Sequence, residues 1–177
     1  MHTHIALLRG VTPTGKNRVP MAQLREALER HGFPGARTWI QSGNVILTTA
    51  LAPDQTAQEL RRIIRDEIGA DLAVIVKTPE ELRRVLAENP FTDLLSQRVF
   101  YAQWQGEVAP EKTAALGDMD FGEERLIITP RAAYMYIPGS AARSRLNNNF
   151  LERKLGTPLT TRNRNTLAKL VEMAGSK

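Results

Sequence analysis

The alternation of short apolar runs with amphipathic stretches constrains this chain more than any other feature. His4 to Arg9 is a compact apolar run of strand character, and behind Pro20 the residues Met21, Leu24 and Leu28 recur on one helical face. Gly32 stops that helix. Arg37 to Gln41 and Asn44 to Thr49 read as two strands joined at Ser42-Gly43, a tight turn that makes them a hairpin. Asp54 is the expected cap of a second helix, with Leu60, Ile63, Ile64 and Ile68 on one face and Gly69 at its end. Leu72 to Lys77 is a fourth strand.

The order strand, helix, strand, strand, helix, strand is that of the ferredoxin-like split unit, which lays two helices on one face of a four-stranded antiparallel sheet. Thr78-Pro79-Glu80-Glu81 forms a capping box with a first-turn proline, so residues 79–97 are expected to be a helical connector. The same order then recurs without residue-level repetition. Strand Val99 to Trp104, helix Pro110 to Leu116, strands Arg125 to Thr129 and Ala133 to Ile137, helix Ser144 to Leu155 stopped by Gly156, and extended Leu159 to Arg162 precede a last helix from about Arg164 to Ala174. The expected fold class is α+β, with two ferredoxin-like βαββαβ units, 1–78 and 98–177, the second carrying an added C-terminal helix.

A chain of 177 residues with 42% hydrophobic and 24% charged side chains has the composition of a soluble globular protein. It has no cysteine, which excludes disulfides, thiolate nucleophiles and cysteine metal sites. No leader-like or membrane-spanning run stands out, so a cytoplasmic protein without membrane association is expected. The net charge of +5 is unevenly spread. Residues 1–48 hold six basic side chains (Arg9, Lys16, Arg18, Arg25, Arg30, Arg37) against Glu26 and Glu29, and residues 131–169 hold eight against Glu152 alone. Such asymmetry suggests a surface for phosphate or another polyanion, with a solvated basic face as the plain alternative.

Gly10-x-x-x-x-Gly15-Lys16-Asn17 approaches the P-loop pattern, in which backbone N–H groups wrap phosphate and a lysine reaches its outer oxygens. Asn17 stands where a magnesium-holding serine or threonine belongs, Pro20 delays the helix, and no later strand ends in a suitable aspartate. What remains is an anion contact by Lys16 and the loop backbone, or a glycine-rich crossover loop and no more. Gln41-Ser42-Gly43-Asn44 is either a turn or the second half of a site, because the expected strand order brings it beside the end of strand one. In the tail Thr160 to Thr166, the residues Arg162, Asn163 and Arg164 fall at a helix start, where N–H groups favour anions and Asn163 can act as the cap.

Tyr134 and Tyr136 share a strand face that Tyr101 can join; exposed, such a face would stack bases, and buried, it would be core. His2 and His4 also share a face, but two histidines without a third ligand make a poor metal site, and no metal is expected. No nucleophile, base and orienting group can be assembled, so catalytic residues remain unassigned.

ALLRGVTPTGKNRVPMAQLREALERHGF, TWIQSGNVIL and SRLNNNFLERKLGTPLTTRNRNT resemble the bacterial family catalogued as domain of unknown function 1697, through nearly the whole chain. The resemblance implies an α+β fold of ferredoxin-like units, no agreed activity, and a motif set of Arg9, Gly10, Gly15, Lys16, Asn17, Pro20, Gln41, Ser42, Gly43, Asn44, Leu155, Gly156, Thr161, Arg162, Asn163 and Thr166. Two departures stand out: Arg164 replaces a usual tryptophan, and Thr12 and Thr14 replace an asparagine and a second glycine.

The expectation is a binder of nucleic acid or another phosphate-bearing ligand, held by the first and last basic segments in a cleft between the two units. The alternatives are an enzyme on a small phosphorylated or anionic substrate, with Lys16 and Arg162 as anchors and Gln41, Ser42 and Asn44 as orienting groups, and a structural or partner-binding module. Ligand contacts are expected from Arg9, Gly10, Gly15, Lys16, Asn17, Gln41, Ser42, Gly43, Asn44, Thr161, Arg162, Asn163 and Arg164, without a cofactor. No feature specifies an oligomeric state.

Overall fold

A computed structural model describes residues 1–176 and places them in two compact units. One comprises Met1–Leu82 together with the segment from Lys169 onward, and the other comprises Arg83–Ala168.

The first unit contains β1 (His2–Leu8), α1 (Met21–Arg30), β2 (Arg37–Thr38), β3 (Asn44–Thr49), α2 (Pro53–Ile68) and β4 (Val74–Lys77). Its antiparallel sheet has the order β2-β3-β1-β4. Side chains alternate across a strand, so Ala6 and Leu8 of β1, Val45 and Leu47 of β3, and Val74 and Val76 of β4 line one face. Met21, Leu24 and Leu28 of α1 and Leu60, Ile63 and Ile64 of α2 complete the core over that face. Gly69 ends α2 in the left-handed region, at φ 88°, with its N–H on the carbonyls of Ile64 and Arg65. The expected Asp54 cap is not formed. The helix begins at Pro53, Asp54 lies in its first turn, and Gln55 Oε1 accepts the Ala52 N–H at 3.2 Å.

The hairpin also differs from expectation. Strand β2 is two residues long and ends at Thr38. Ile40 adopts φ 52°, a conformation that no strand residue holds, so the paired segment cannot run on to Gln41. The tip is closed instead by the Trp39 N–H on Asn44 O at 3.0 Å.

Helix α3 (Pro79–Ala87) opens with the expected capping box: Thr78 Oγ1 accepts the Glu81 N–H at 3.1 Å, and Glu81 Oε2 accepts the Thr78 N–H at 2.7 Å. The second unit then adds β5 (Val99–Trp104), α4 (Pro110–Gly117), β6 (Arg125–Ile128), β7 (Ala133–Tyr136), α5 (Asn148–Leu155), β8 (Leu159–Asn163) and the start of α6 (Arg164–Gly175). Its antiparallel sheet has the order β6-β7-β5-β8, the same pattern as the first. Trp104, Met135, Phe150, Leu151, Leu155 and Leu159 belong to its core. Helix α5 starts four residues later than Ser144, because Ser144 Oγ is bonded to Glu124 Oε2 at 2.8 Å and the true cap is Asn147 Oδ1, which accepts the Phe150 N–H at 3.0 Å.

The opposite face of this second sheet is also buried, which corrects the base-stacking reading. Tyr101 and Tyr134 are fully buried direct cross-strand partners whose rings meet edge to face at 5.6 Å. The Tyr134 hydroxyl donates to Val85 O at 2.8 Å. These rings are core residues and offer no surface to a base.

Candidate functional site

In the first unit the two polar stretches do meet. The Leu8 N–H donates to Gly43 O at 2.8 Å, joining the end of β1 to the hairpin tip. Gly43 packs so closely that a Cβ there would lie 2.8 Å from Leu8 Cβ and 2.8 Å from Val11 Cγ2. Its φ of 92° separately favours glycine. Asn44 is fully buried, and its Nδ2 donates to Trp39 O at 3.0 Å and Ser42 Oγ at 3.2 Å, so it shapes the tip from within. The loop after β1 is held by its own bonds: the Thr12 N–H donates to Asn17 O at 3.1 Å, the Arg18 N–H to Gly15 O at 3.2 Å, and Thr12 Oγ1 to Thr14 O at 2.7 Å.

Between loop and tip lies a cavity of about 600 Å³. Its wall is largely apolar, from Val11, Pro13, Val19, Pro20, Met21 and Ala22, with Thr12, Arg18, Gln41 and Ser42 as polar points. The start of α1 adds first-turn N–H groups for which no partner is seen among the described residues, since Pro20 precedes the helix without a side-chain cap and no acidic residue occupies the first turn. A cavity of this size suits a small molecule with an apolar body and an anionic end.

Of the residues expected to bind, Gln41 and Ser42 line this cavity, whereas Gly43 and Asn44 fix the tip that carries them. Gly10, Gly15 and Asn17 shape the loop, and Lys16 is exposed away from the lining. Arg9 is half-buried and has a partner of its own. Arg18 was missed, although it stands two residues past Lys16 and two before Pro20, which precedes the helix. Among the described residues no partner is seen for the side chain of Lys16 or of Arg18. Arg25, Arg30 and Arg37 are by contrast engaged internally, by Thr38 Oγ1 at 2.5 Å, Glu67 Oε2 at 2.6 Å and Met173 O at 2.6 Å. Much of the first segment's positive charge is therefore structural.

Thr161, Arg162, Asn163 and Arg164 belong to the second unit. Arg162 is not at a free helix start as expected. It is buried on β8, opposite Tyr101, with its guanidinium donating to Thr160 Oγ1 at 2.6 Å and Thr161 O at 3.0 Å. Burial pulls its pKa down to about 10. Thr161 Oγ1 donates to Asn148 Oδ1 at 2.7 Å, and Asn163 Oδ1 caps α6 by accepting the Thr166 N–H at 2.9 Å. Arg164 is exposed at that helix start.

Two further ionisable groups are buried, His4, which the sequence offered only as half of a poor metal site, and Lys77, which it offered only as a strand end. Burial lowers both pKa values; the charge of His2 adds to the effect at His4, while Glu81 opposes it at both sites. The Thr56 hydroxyl donates to Ala52 O at 2.9 Å and lies 3.3 Å from His4 Nδ1, which assigns the His4 proton to Nδ1. A histidine held neutral when folded, with an unfolded pKa near 6.5, contributes stability that is complete above that value and is lost as pH falls through it toward the folded pKa. Wild type should thus lose unfolding free energy between neutral pH and about pH 5, before the carboxylates titrate. His4→Asn should flatten that stretch of the curve, and an unchanged slope in urea unfolding would contradict the assignment.

The model of a family described as "Protein of unknown function (DUF1697)" matches residues 1–134. The match includes the whole loop and hairpin tip but stops short of the motifs at 144–166, less than the expected reach. No curated protein matches the chain. Among solved structures, the conserved bacterial protein SP0830 from Streptococcus pneumoniae is similar, with a TM-score of 0.75 at 20% identity, over 97% of this chain and 98% of that one. At that identity the likeness speaks for the fold.

Proposed function

This chain belongs to the DUF1697 family, whose description assigns no activity, and from the site itself we propose that its first unit is a binding module for a small phosphate-bearing ligand of nucleotide size. The single observation that carries the reading is the cavity of about 600 Å³ lined by Arg18, Gln41 and Ser42 beside a largely apolar wall. Arg18 and the first-turn N–H groups of α1 take the phosphate, Gln41 and Ser42 orient the sugar or linker, and Pro13, Pro20 and Met21 receive the apolar body. Binding is favoured over catalysis because Arg18 is the one ionisable side chain on the lining among the described residues, which leaves no acid–base pair at hand. In this reading each sheet with its helices is a ferredoxin-like unit, and the protein works in the bacterial cytoplasm.

A nucleic-acid chain threading its terminal nucleotide into the same cavity is the second reading, favoured by the exposed Lys16 in the same loop as Arg18, for whose side chain no partner is seen among the described residues. Calorimetric titration with adenosine monophosphate and ribose 5-phosphate, and anisotropy with labelled single-stranded oligonucleotides at low and near-physiological salt, separates them. Monophosphate binding that persists at the higher salt supports the small-ligand reading. Binding of oligonucleotides alone, falling steeply with salt, supports the polymer. No binding of either overturns both.

A further inference from the structure

Strand β6 lies at the margin of the second unit's sheet, and among the described residues no strand pairs with its outer edge. Its run Arg125-Leu126-Ile127-Ile128 is apolar after the first residue, and Ile127 is 42% exposed, one of the few large apolar side chains that face solvent. The hairpin with β7 fixes which backbone groups that edge offers. The Thr129 N–H donates to Ala132 O at 2.9 Å, so these two residues form a hydrogen-bonded pair. Antiparallel pairs alternate in kind, which makes Ile127 and Arg125 the residues bonded to Tyr134 and Tyr136 and turns the N–H and carbonyl groups of Leu126 and Ile128 outward. An apolar edge that presents its ladder groups in this way is a template for another strand.

The charges beside the edge select a second copy of the same strand, in one register. When two copies of β6 run antiparallel about a two-fold axis, outward groups must oppose outward groups. With Ile128 on the axis, Arg125 faces Arg131 of the second copy, and Leu126 faces Pro130, which has no N–H. With Leu126 on the axis, Glu124 falls against Ile128 and no opposite charges meet. With Ile127 on the axis, Leu126 of each copy exchanges both hydrogen bonds with Ile128 of the other, and beyond the strand ends Glu123 of each comes toward Arg131 of the other. Both of these charges are exposed. Arg131 has only a loose internal ion pair, 3.9 Å from Glu88, and its side chain is 42% exposed, so it can turn to the new carboxylate at little cost.

We infer that β6 is a self-association edge through which two copies of this chain pair antiparallel, Ile127 against Ile127, so that the second-unit sheet of one copy continues into that of the other. The inference concerns the second unit and is independent of the ligand reading above. At the axis the two strands form a non-hydrogen-bonded pair, whose Cα atoms lie about 4.5 Å apart, and the Ile127 side chains cover one another. A strand of four residues buries well under the ~1,200 Å² of a standard interface, so the dimer is a weak one, with a dissociation constant on the order of 100 μM.

Sedimentation velocity from about 10 μM to about 1 mM tests this on wild type, Ile127→Lys, Arg131→Glu and the exchange Glu123→Arg with Arg131→Glu. All the substituted positions are exposed, so the fold should tolerate each change. Wild type should shift from monomer to dimer across the range. Ile127→Lys should stay monomeric, because it sets two ammonium groups against each other on the axis. Arg131→Glu should weaken association by about tenfold, and the charge exchange should restore it to within about threefold of wild type. Wild type that stays monomeric throughout, or a dimer that Ile127→Lys leaves intact, overturns the inference. A charge exchange no stronger than Arg131→Glu alone overturns the register and with it the inferred interface.

Discussion

Gly43→Ala is expected to lower the unfolding free energy of the first unit by about 2–5 kcal/mol, the sum of a left-handed penalty of about 1–2 and an overpacking penalty of about 1–3. Both arise at one atom. The new Cβ would stand 2.8 Å from Leu8 Cβ and from Val11 Cγ2, and neither neighbour can retreat easily. Leu8 lies at the end of β1 with its N–H on Gly43 O, and Val11 packs against the first-unit core. The damage should therefore spread from tip to loop, moving Gln41 and Ser42 off the cavity as the unit loosens. Urea unfolding combined with segment-resolved hydrogen exchange checks this. Faster exchange should appear in β1, β3 and the loop after β1, while β5 and β7 keep wild-type protection. A loss below about 0.5 kcal/mol would mean that the tip rearranges freely and that the close approach does not matter.

Arg18→Ala has the second large effect, on binding alone. A charge-assisted hydrogen bond is worth about 1.5–3 kcal/mol, so removal of this guanidinium should weaken adenosine monophosphate binding by about 10- to 100-fold. Stability should stay within about 0.5 kcal/mol of wild type, because the side chain is exposed and no partner is seen for it among the described residues. Lys16→Ala is the internal control. Lys16 carries the same charge in the same loop but does not line the cavity, so its removal should reduce affinity less than about threefold, through long-range attraction only. Equal losses in the two variants, measured by titration at near-physiological salt, would show that net charge and not the cavity governs binding.

Much of the architecture was legible because apolar spacing dictates it. Strands Asn44–Thr49 and Val99–Trp104 fall where their apolar and β-branched runs put them, and Gly69 and Gly156 stop their helices in the left-handed conformation. The departures came from interactions that a linear pattern does not carry. Strand β2 stops at Thr38 because of a backbone dihedral at Ile40, a residue type whose propensity argues for strand. The helix expected from Ser144 begins only at Asn148, because Glu124, twenty residues earlier, takes the Ser144 hydroxyl and Asn147 supplies the cap.

The site was legible in part for the same reason. Gln41 and Ser42 were placed beside the loop by strand order alone, which is a topological inference that needs no side-chain detail. Arg18 carries no motif signal because the P-loop-like pattern ends at Lys16-Asn17, whereas the observed loop turns back on itself through Thr12 and Asn17 and carries Arg18 to the lining. Arg162 was read as a free anion contact because it precedes a helix. Its place on β8 opposite Tyr101, with both side chains buried, depends on strand register, which the sequence does not state. Tyr101 and Tyr134 show the same limit, since alternation says that aromatic residues share a face but not whether that face meets water.

The most direct test of the central claim is to follow the backbone amide resonances of the isotope-labelled protein during titration with adenosine monophosphate. The account predicts saturable shifts concentrated in Val11 to Ala22 and Gln41 to Asn44, with the first-turn amides of α1 among the largest. Shifts that never saturate, or that saturate elsewhere and leave these two segments unmoved, would contradict it.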